Sequence, residues 1–370
     1  MVRPRNKAEK FFPIYRNSQM KCLVTGGAGF IGAHVVRELI CLGYEVVVLD
    51  DLSGGFRDNV PDAAEFVQGD ICDHDLVDRL FAQHGFDYVY HLAAYAAEGL
   101  SHFIKRYNYN NNLIGSVNLI NAAVNHDVKS FVFTSSIAVY GASQLPMRED
   151  MIPQPEDSYG IAKLAVEQEL KCSHEMFGLD YVIFRPHNVY GEYQNIGDRY
   201  RNVIGIFMNQ IMQGKSLTIF GDGTQSRAFS YVGPVAAVIA RSPRVDAARN
   251  RVFNIGADQP WSVNELAKAV GQVMGVEPKI DYLPARNEVL HAYSDHSLVK
   301  ECFGQAEDVS LEEGLEIMAK WALKHGARVT KPFANIEIDR NMPPSWRAQL
   351  KATPIPVVDA MPTFENPRTV

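Results

Sequence analysis

One segment constrains the fold more than any other: Val24-Thr25-Gly26-Gly27-Ala28-Gly29-Phe30-Ile31-Gly32. It follows a short apolar run at 21–25 and leads into a helical stretch at 33–42. Gly26, Gly29 and Gly32 recur every third residue, with Phe30 and Ile31 between the last two. A tight strand-to-helix turn needs a residue free to take positive φ. A backbone lying against a pyrophosphate has no room for a Cβ, and a further glycine lets the helix sit close on the strand. The helix N-terminus then offers free amides and partial positive charge to the phosphates. A glycine turn without a ligand is the alternative. The strand–loop–helix context favours a dinucleotide site.

Such a loop needs a parallel sheet behind it, and the first half of the chain supplies one. Strand-like runs fall at 21–25, 44–49, 65–68, 88–92, 130–135 and 181–185. Helical stretches fall at 33–42, 76–84, 114–126 and 158–177. Short apolar runs, most followed by a helix, indicate strands buried on both faces. The expectation is an α/β, doubly wound parallel sheet (a Rossmann domain) over 20–185. Beyond Pro186 the pattern loosens. Helices at 203–213 and 263–274 mix with strands at 216–220, 251–255 and 279–282, which reads as a smaller α+β lobe over 186–328. Residues 1–19 read as an N-terminal arm, and 329–370 as a Pro-rich tail, extended or disordered.

Composition narrows the class. Hydrophobic residues make up 46% of the 370 and charged residues 21%, which excludes a disordered, collagen-like or coiled-coil chain. No stretch reaches the ~18 uninterrupted apolar residues of a membrane span. A net charge of −7 leaves no basic footprint for nucleic acid. The five cysteines are scattered without zinc spacing, so the expectation is no metal site and reduced thiols in the cytoplasm. The first twenty residues are basic and lack the apolar core of a secretory signal.

The second strand ends at Asp50, eighteen residues past Gly32. An acid there accepts both ribose hydroxyls of adenosine and repels a 2′-phosphate. Asp51 adds charge, and Leu52-Ser53-Gly54-Gly55 carries no cation, so NAD is favoured over its 2′-phosphorylated form. Tyr159 and Lys163 stand at i, i+4 in Tyr159-Gly160-Ile161-Ala162-Lys163, on one helix face. A phenol titrates near 10, and a nearby ammonium favours the phenolate. Tyr159 is then a proton shuttle to a sugar or alcohol hydroxyl. Ser136 ends the fifth strand, where its hydroxyl can bond the reacting oxygen.

These motifs, in this order, resemble the extended short-chain dehydrogenase/reductase superfamily. Within it the likeness is to the NAD-dependent sugar-nucleotide epimerase/dehydratase family, in its UDP-glucose 4-epimerase branch. The resemblance runs from about Met20 to about Lys324, through TGGAGFIG at 25–32, Asp50, GDI at 69–71, HLAA at 91–94, SSIAVYG at 135–141, YGIAK at 159–163 and RPHNVYG at 185–191. It implies that Gly26, Gly29 and Gly32 hold the NAD pyrophosphate and Asp50 the adenosine ribose. Asp70 and Ile71 would flank adenine, Ala93 would line the cofactor, and Asn112 would lie near the nicotinamide. Ser136, Tyr159 and Lys163 match the catalytic residues. Asn188 matches a diphosphate contact. Asn202, Val203, Thr218 and Phe220 match segments that cradle phosphate and uridine. Arg227 and Arg286 match arginines that clamp the diphosphate, a role suited to bidentate guanidinium groups.

Departures from the family pattern concern the sugar. Ala96 falls where relatives carry a lysine, and Glu98 adds an acid nearby. Glu192 follows Gly191 where proline is usual, and Glu288-Val289 replaces a glycine–acid pair. Arg199 and Arg201 suit a uronic acid or a solvated face, the latter being the default. Tyr293 aligns with a position where bulk restricts the pocket against 2-acetamido sugars. The implied activity is C4 epimerisation of a UDP-hexose through a 4-keto intermediate, in a homodimer built on helices near 113–126 and 158–177. A UDP-uronic acid epimerase, a sugar-nucleotide dehydratase or reductase, and an NAD-sensing scaffold are the alternatives. Dehydratase relatives carry carboxylates just after the catalytic Ser/Thr; here those positions are Ile137 and Ala138.

Overall fold

A computed structural model describes residues 20–142, 145–198, 200–285, 290–304, 309–330, 333, 335–344, 346 and 347. The first half builds β1 (Lys21–Thr25), α1 (Phe30–Cys41), β2 (Glu45–Asp50), β3 (Glu65–Gln68), α2 (His74–His84) and β4 (Tyr88–His91). It continues through α3 (Glu98–Ser101), α4 (Lys105–Tyr109), α5 (Gly115–Asn125), β5 (Ser130–Thr134), α6 (Ser158–Phe177) and β6 (Tyr181–Pro186). A π turn at Asn110–Ile114 joins α4 to α5.

The second half builds β7 (Val189–Tyr190), α7 (Val203–Met212), β8 (Leu217–Phe220), β9 (Ser226–Ala228), β10 (Ser230–Tyr231) and α8 (Val232–Arg241). Then come β11 (Arg251–Ile255), β12 (Pro260–Ser262), α9 (Val263–Val273), β13 (Ile280–Leu283), β14 (His291–Ala292), α10 (Ser297–Phe303) and α11 (Leu311–His325).

The main sheet runs β11-β6-β5-β4-β1-β2-β3, and every pairing in it is parallel. Alternate residues of each strand feed opposite faces. Cys22, Val24, Val46 and Val48 pack with α1 and α8, while Leu23, Val47 and Leu49 pack with α2, α5 and α6. The strand order reverses between β1 and β4, the place where open α/β sheets bind ligands. A second core of Phe207, Met208, Leu217, Leu266, Val270, Leu315 and Met318 holds the substrate-side lobe together.

Two expectations change. Arg251–Ile255, read as part of the smaller lobe, pairs with β6 and completes the main sheet, so the chain re-enters the first domain after residue 231. Periodicity gives a strand's existence but not its partner, and α8, which carries the chain back against α1, escaped notice because it is apolar nearly all round. The residues after 329 also do more than trail. Met342 and Trp346 are buried with Tyr95, Leu100 and Ile104. The arm at 1–19 and the chain from 348 lie outside the described residues. Among the described residues, no helix is long and apolar enough to cross a membrane.

Candidate active site

A cleft of about 2200 Å³ opens between the carboxyl ends of β1, β2, β4, β5 and β6 and the second lobe. A pocket for one small ligand holds about 300–1000 Å³, so this one has room for two sizeable molecules. At one end, Gly26 takes φ +73°, and a Cβ there would sit 2.6 Å from the Ala93 amide nitrogen. A Cβ at Gly32 would meet the Gly26 carbonyl oxygen at 2.1 Å. The loop is therefore bare backbone by necessity. α1 starts at Phe30 with no side-chain cap, so the amides of its first turn, through Ile31 and Gly32, are free for an anion.

Asp50 closes this end and is 8% exposed. Its carboxylate accepts the Ala28 amide at 3.0 Å and the Leu52 amide at 2.8 Å. Burial pushes its pKa above the ordinary carboxylate range, and those two bonds oppose the rise. The Gly29 amide bears on the same carboxylate, and lone-pair capacity remains on it for a ribose hydroxyl. Asp70 accepts the Cys72 amide at 2.8 Å, and Ile71 is buried beside it. Ala93, Asp70 and Ile71 all line the cleft, as do Gly26, Gly29, Phe30, Ile31 and Gly32 of the glycine loop. The bare loop, the uncapped helix and the buried acid at the end of β2 fit NAD.

Midway along the cleft the strand end of β5 meets the first turn of α6. Asp157 caps α6 by accepting the Gly160 amide at 2.8 Å, which fixes the turn carrying Tyr159. The Ser136 side chain hydrogen-bonds the Tyr159 phenol and so favours its ionised form, while accepting the Ala138 amide at 3.1 Å. Lys163 is 2% exposed; its Nζ donates to the Thr134 carbonyl at 2.8 Å and lies 5.8 Å from the Tyr159 ring centre. Burial lowers the Lys163 ammonium to about 7, and Glu167 pulls the other way.

The electrostatics correct one expectation. The phenol of Tyr159 is shifted up rather than down, because desolvation outweighs Ser136 and Glu98 adds a like charge. Lys163, engaged by Thr134, does not offset this. Glu98 itself lines the cleft. Ile137 and Ala138 line it immediately after Ser136, so that segment presents no carboxylate.

Behind the strand end lies a buried network that the sequence reading missed. Arg185 pairs with Glu167 at 2.9 and 2.6 Å and donates to the Tyr140 hydroxyl at 2.7 Å. Tyr140 donates to Asn254 at 2.8 Å, and Ser135 donates to Glu167 at 2.5 Å. A signal was present: Tyr159, Lys163 and Glu167 repeat every four residues along α6.

On the substrate side, Asn188 turns the chain with φ +41° and lines the cleft. Val203 begins α7 and lines the cleft, which brings the positive end of that helix to this wall, with the Ile204 amide already taken by the Asn202 side chain. Thr218, Phe220 and Arg227 line the same wall. Arg227 Nη1 donates to the carbonyls of Ser226 and Leu290 at 2.8 and 3.0 Å. Arg286, Arg199 and Glu288-Val289 lie outside the described residues.

Three assignments are revised by side-chain direction, those of Asn112, Tyr293 and Arg201, and one, that of Asn202, is extended. Asn112 does not line the cleft. It accepts the Tyr95 amide at 2.8 Å and donates to the Tyr95 carbonyl and to Asn108, so it braces the loop after β4. Asn202 lines the cleft and also caps α7 through Ile204 at 2.9 Å and donates to Val189, so it positions the wall it belongs to. Tyr293 is not in the wall; Ala292 and Met147 are. Strand alternation from Ala292 turns the next side chain away. Arg201 is not solvated. It is 23% exposed, paired with Asp198 at 3.1 Å and over the Tyr95 ring at 5.4 Å, with Nη2 2.9 Å from where a Gly54 Cβ would stand.

The fold and this arrangement define a dinucleotide-dependent enzyme of the short-chain dehydrogenase/reductase type. A model of the NAD dependent epimerase/dehydratase family matches residues 22–256. A UDP-glucose 4-epimerase of Mycolicibacterium smegmatis is 33% identical over 304 residues, 80% of this chain and 96% of its own. The structure of the UDP-glucose 4-epimerase of Thermotoga maritima with UDP-glucose aligns with a TM-score of 0.79 and 36% identity, over 83% of this chain and 99% of that one. The UDP-N-acetylglucosamine 4-epimerase of Methanobrevibacter ruminantium, solved with UDP-N-acetylmuramic acid, aligns at 0.78 and 32% identity, over 84% and 100%. The chain belongs to the NAD dependent epimerase/dehydratase family.

Proposed function

We propose that the chain epimerises a UDP-hexose at C4, with UDP-glucose and UDP-galactose as the substrates to test first. One observation carries this reading: Ser136, Tyr159 and Lys163 stand midway between a dinucleotide loop and an uncharged anion site at the start of α7. Relatives that are UDP-glucose 4-epimerases support the nucleotide and the sugar.

Bound NAD supplies a hydride acceptor and donor for the sugar C4 and a positive charge beside the phenol. Tyr159 takes the O4 proton as the C4 carbonyl forms, and returns it when the carbonyl is reduced. Ser136 bonds the same oxygen. Lys163 holds Tyr159 and the cofactor side in register through the Thr134 carbonyl. The α7 amides and Arg227 hold the diphosphate, and the cleft's size lets the 4-keto sugar turn about it before reduction on its other face. The division of labour is 20–185 with the returning β11 for NAD, and the second lobe for the nucleotide sugar.

Dehydration would need an acid and a base beside C5 and C6. Ile137 and Ala138 supply neither; Glu98, at the start of α3, lines the cleft and bears on the Tyr159 charge, and it is the carboxylate the test below probes. Ala292 in the wall favours a second substrate arm, the 2-acetamido UDP-hexoses, because a small residue leaves room there. The test is incubation with each UDP-hexose in deuterated water. A C4 epimer of unchanged mass is expected; a product lighter by one water, or deuterium at C5, overturns the reading. Free thiols at all five cysteines support a cytoplasmic enzyme. Exposed Ile114, Ile161, Met176 and Phe177 on or beside α5 and α6 support a homodimer, which sedimentation of wild type and Ile161→Glu would test.

A further inference from the structure

The described residues from Arg328 to Arg347 leave the second lobe, cross the mouth of the cleft and end against the first domain. At the start, the Arg328 amide donates to Asn209 at 2.8 Å, and Asn209 donates back to the Arg328 carbonyl at 2.9 Å. The Arg328 guanidinium lies 4.1 Å over the ring of Phe56, which follows the Asp50–Gly55 loop. Thr330 donates to Asn195 at 3.1 Å. Farther on, Phe333 packs on Tyr107 at 4.9 Å and on Tyr95 at 5.2 Å.

The far end is anchored twice. The Glu337 carboxylate accepts the Arg106 and Tyr107 amides, both at 2.9 Å, at the start of α4. The amides of Glu337 and Ile338 donate to the Phe103 carbonyl at 2.9 and 3.2 Å. Trp346 is 6% exposed, seated against Tyr200 at 5.0 Å and Phe103 at 6.2 Å. Ordering a surface segment costs entropy at every residue, so this much bonding marks a built contact rather than a resting tail.

Besides α7 at Asn209 and α4 at Arg106 and Tyr107, the strap touches three segments beside the dinucleotide end of the cleft: the loop after β2 at Phe56, the loop after β4 at Tyr95, and the 193–202 loop at Asn195 and Tyr200. Thr330, Met342 and Trp346 line the cleft itself. We propose that this strap is a clasp that retains NAD, so that the dinucleotide leaves only when the Glu337 and Trp346 anchors release. The proposal rests on the functional reading above. An epimerase regenerates its cofactor in every cycle and has no need to exchange it, so a closed crevice costs nothing in turnover. An enzyme that released NADH each cycle would be stalled by the same clasp.

The test loads wild type, Glu337→Ala and Trp346→Ala with radiolabelled NAD and follows release into excess unlabelled NAD. Limited trypsin digestion, scored at Arg340 and Arg347, reports strap opening in the same samples. Both variants should release NAD at least about tenfold faster, the change one lost anchor gives. They should also be cut faster, while turnover of Glu337→Ala, whose side chain does not line the cleft, stays near wild type at saturating NAD. Circular dichroism checks folding; if Trp346→Ala is unfolded, Glu337→Ala carries the test alone. Variants that are cut faster yet release NAD at the wild-type rate overturn the clasp and leave the function intact. A wild type that binds no NAD overturns both.

Discussion

Lys163 is where burial and chemistry conflict most sharply. Its folded value of about 7 stands against an ordinary lysine value of 10.5. Between those two values the unfolded chain binds one more proton than the folded chain, so stability rises with pH across that window. Below it, the cost of burying the ammonium is borne in full. Lys163→Met removes that cost. The cofactor-free variant should therefore be more stable than wild type at pH 6, by about 1–4 kcal/mol if it behaves like other buried charges replaced by apolar side chains. The gain should shrink by pH 9.5, while turnover disappears. Urea unfolding at both pH values reads this directly; an equal gain at both would remove Lys163 from the pH dependence. For Tyr159→Phe, turnover should fall at least the ~100-fold typical of a lost acid/base, with NAD binding kept. Stopped-flow rates and NAD titration separate the two. At this scale the backbone-driven residues were legible: Gly26, Gly32 and Asp50 are dictated by spacing alone. Asn112 and Tyr293 were not, because side-chain direction depends on partners such as Tyr95 and on the alternation after Ala292.

Among the elements, the Glu167–Arg185 pair ties α6 to β6 and, through Tyr140 and Asn254, to β11. Arg185→Met leaves Glu167 buried without its cation, which costs about 3–5 kcal/mol in comparable sites. The double variant with Glu167→Leu should recover most of that loss, and urea midpoints would show it. Recovery absent from the double variant would mean that Arg185 acts mainly through Tyr140. Ala292 gives a second prediction. Ala292→Tyr should raise KM for 2-acetamido UDP-hexoses more than for UDP-glucose, whereas Tyr293→Ser should shift neither; steady-state kinetics on both sugars decides. Strands and the longer helices were legible because their period and length are local properties. α11 also announced itself through its capping box at Ser310 and Glu313, a signal left unread. The membership of β11 in the main sheet was not legible, since parallel pairing is a long-range choice.

For the whole molecule, two lobes enclose one cleft, and the chain crosses between them at residues 186, 231 and 256, on either side of α10, which packs on β11, and again along the strap. The two-lobe plan and the cofactor end could be read from motif order. The strap could not, because recurring prolines and a scarcity of apolar periodicity look alike whether a segment is free or laid across a cleft. The most direct measurement is turnover of UDP-glucose carrying deuterium at C4, in ordinary water. Hydride that leaves and returns within one closed site predicts UDP-galactose that keeps the deuterium at C4, with no loss to solvent. A product that has lost the label, or one lighter by a molecule of water, would contradict C4 epimerisation at Tyr159.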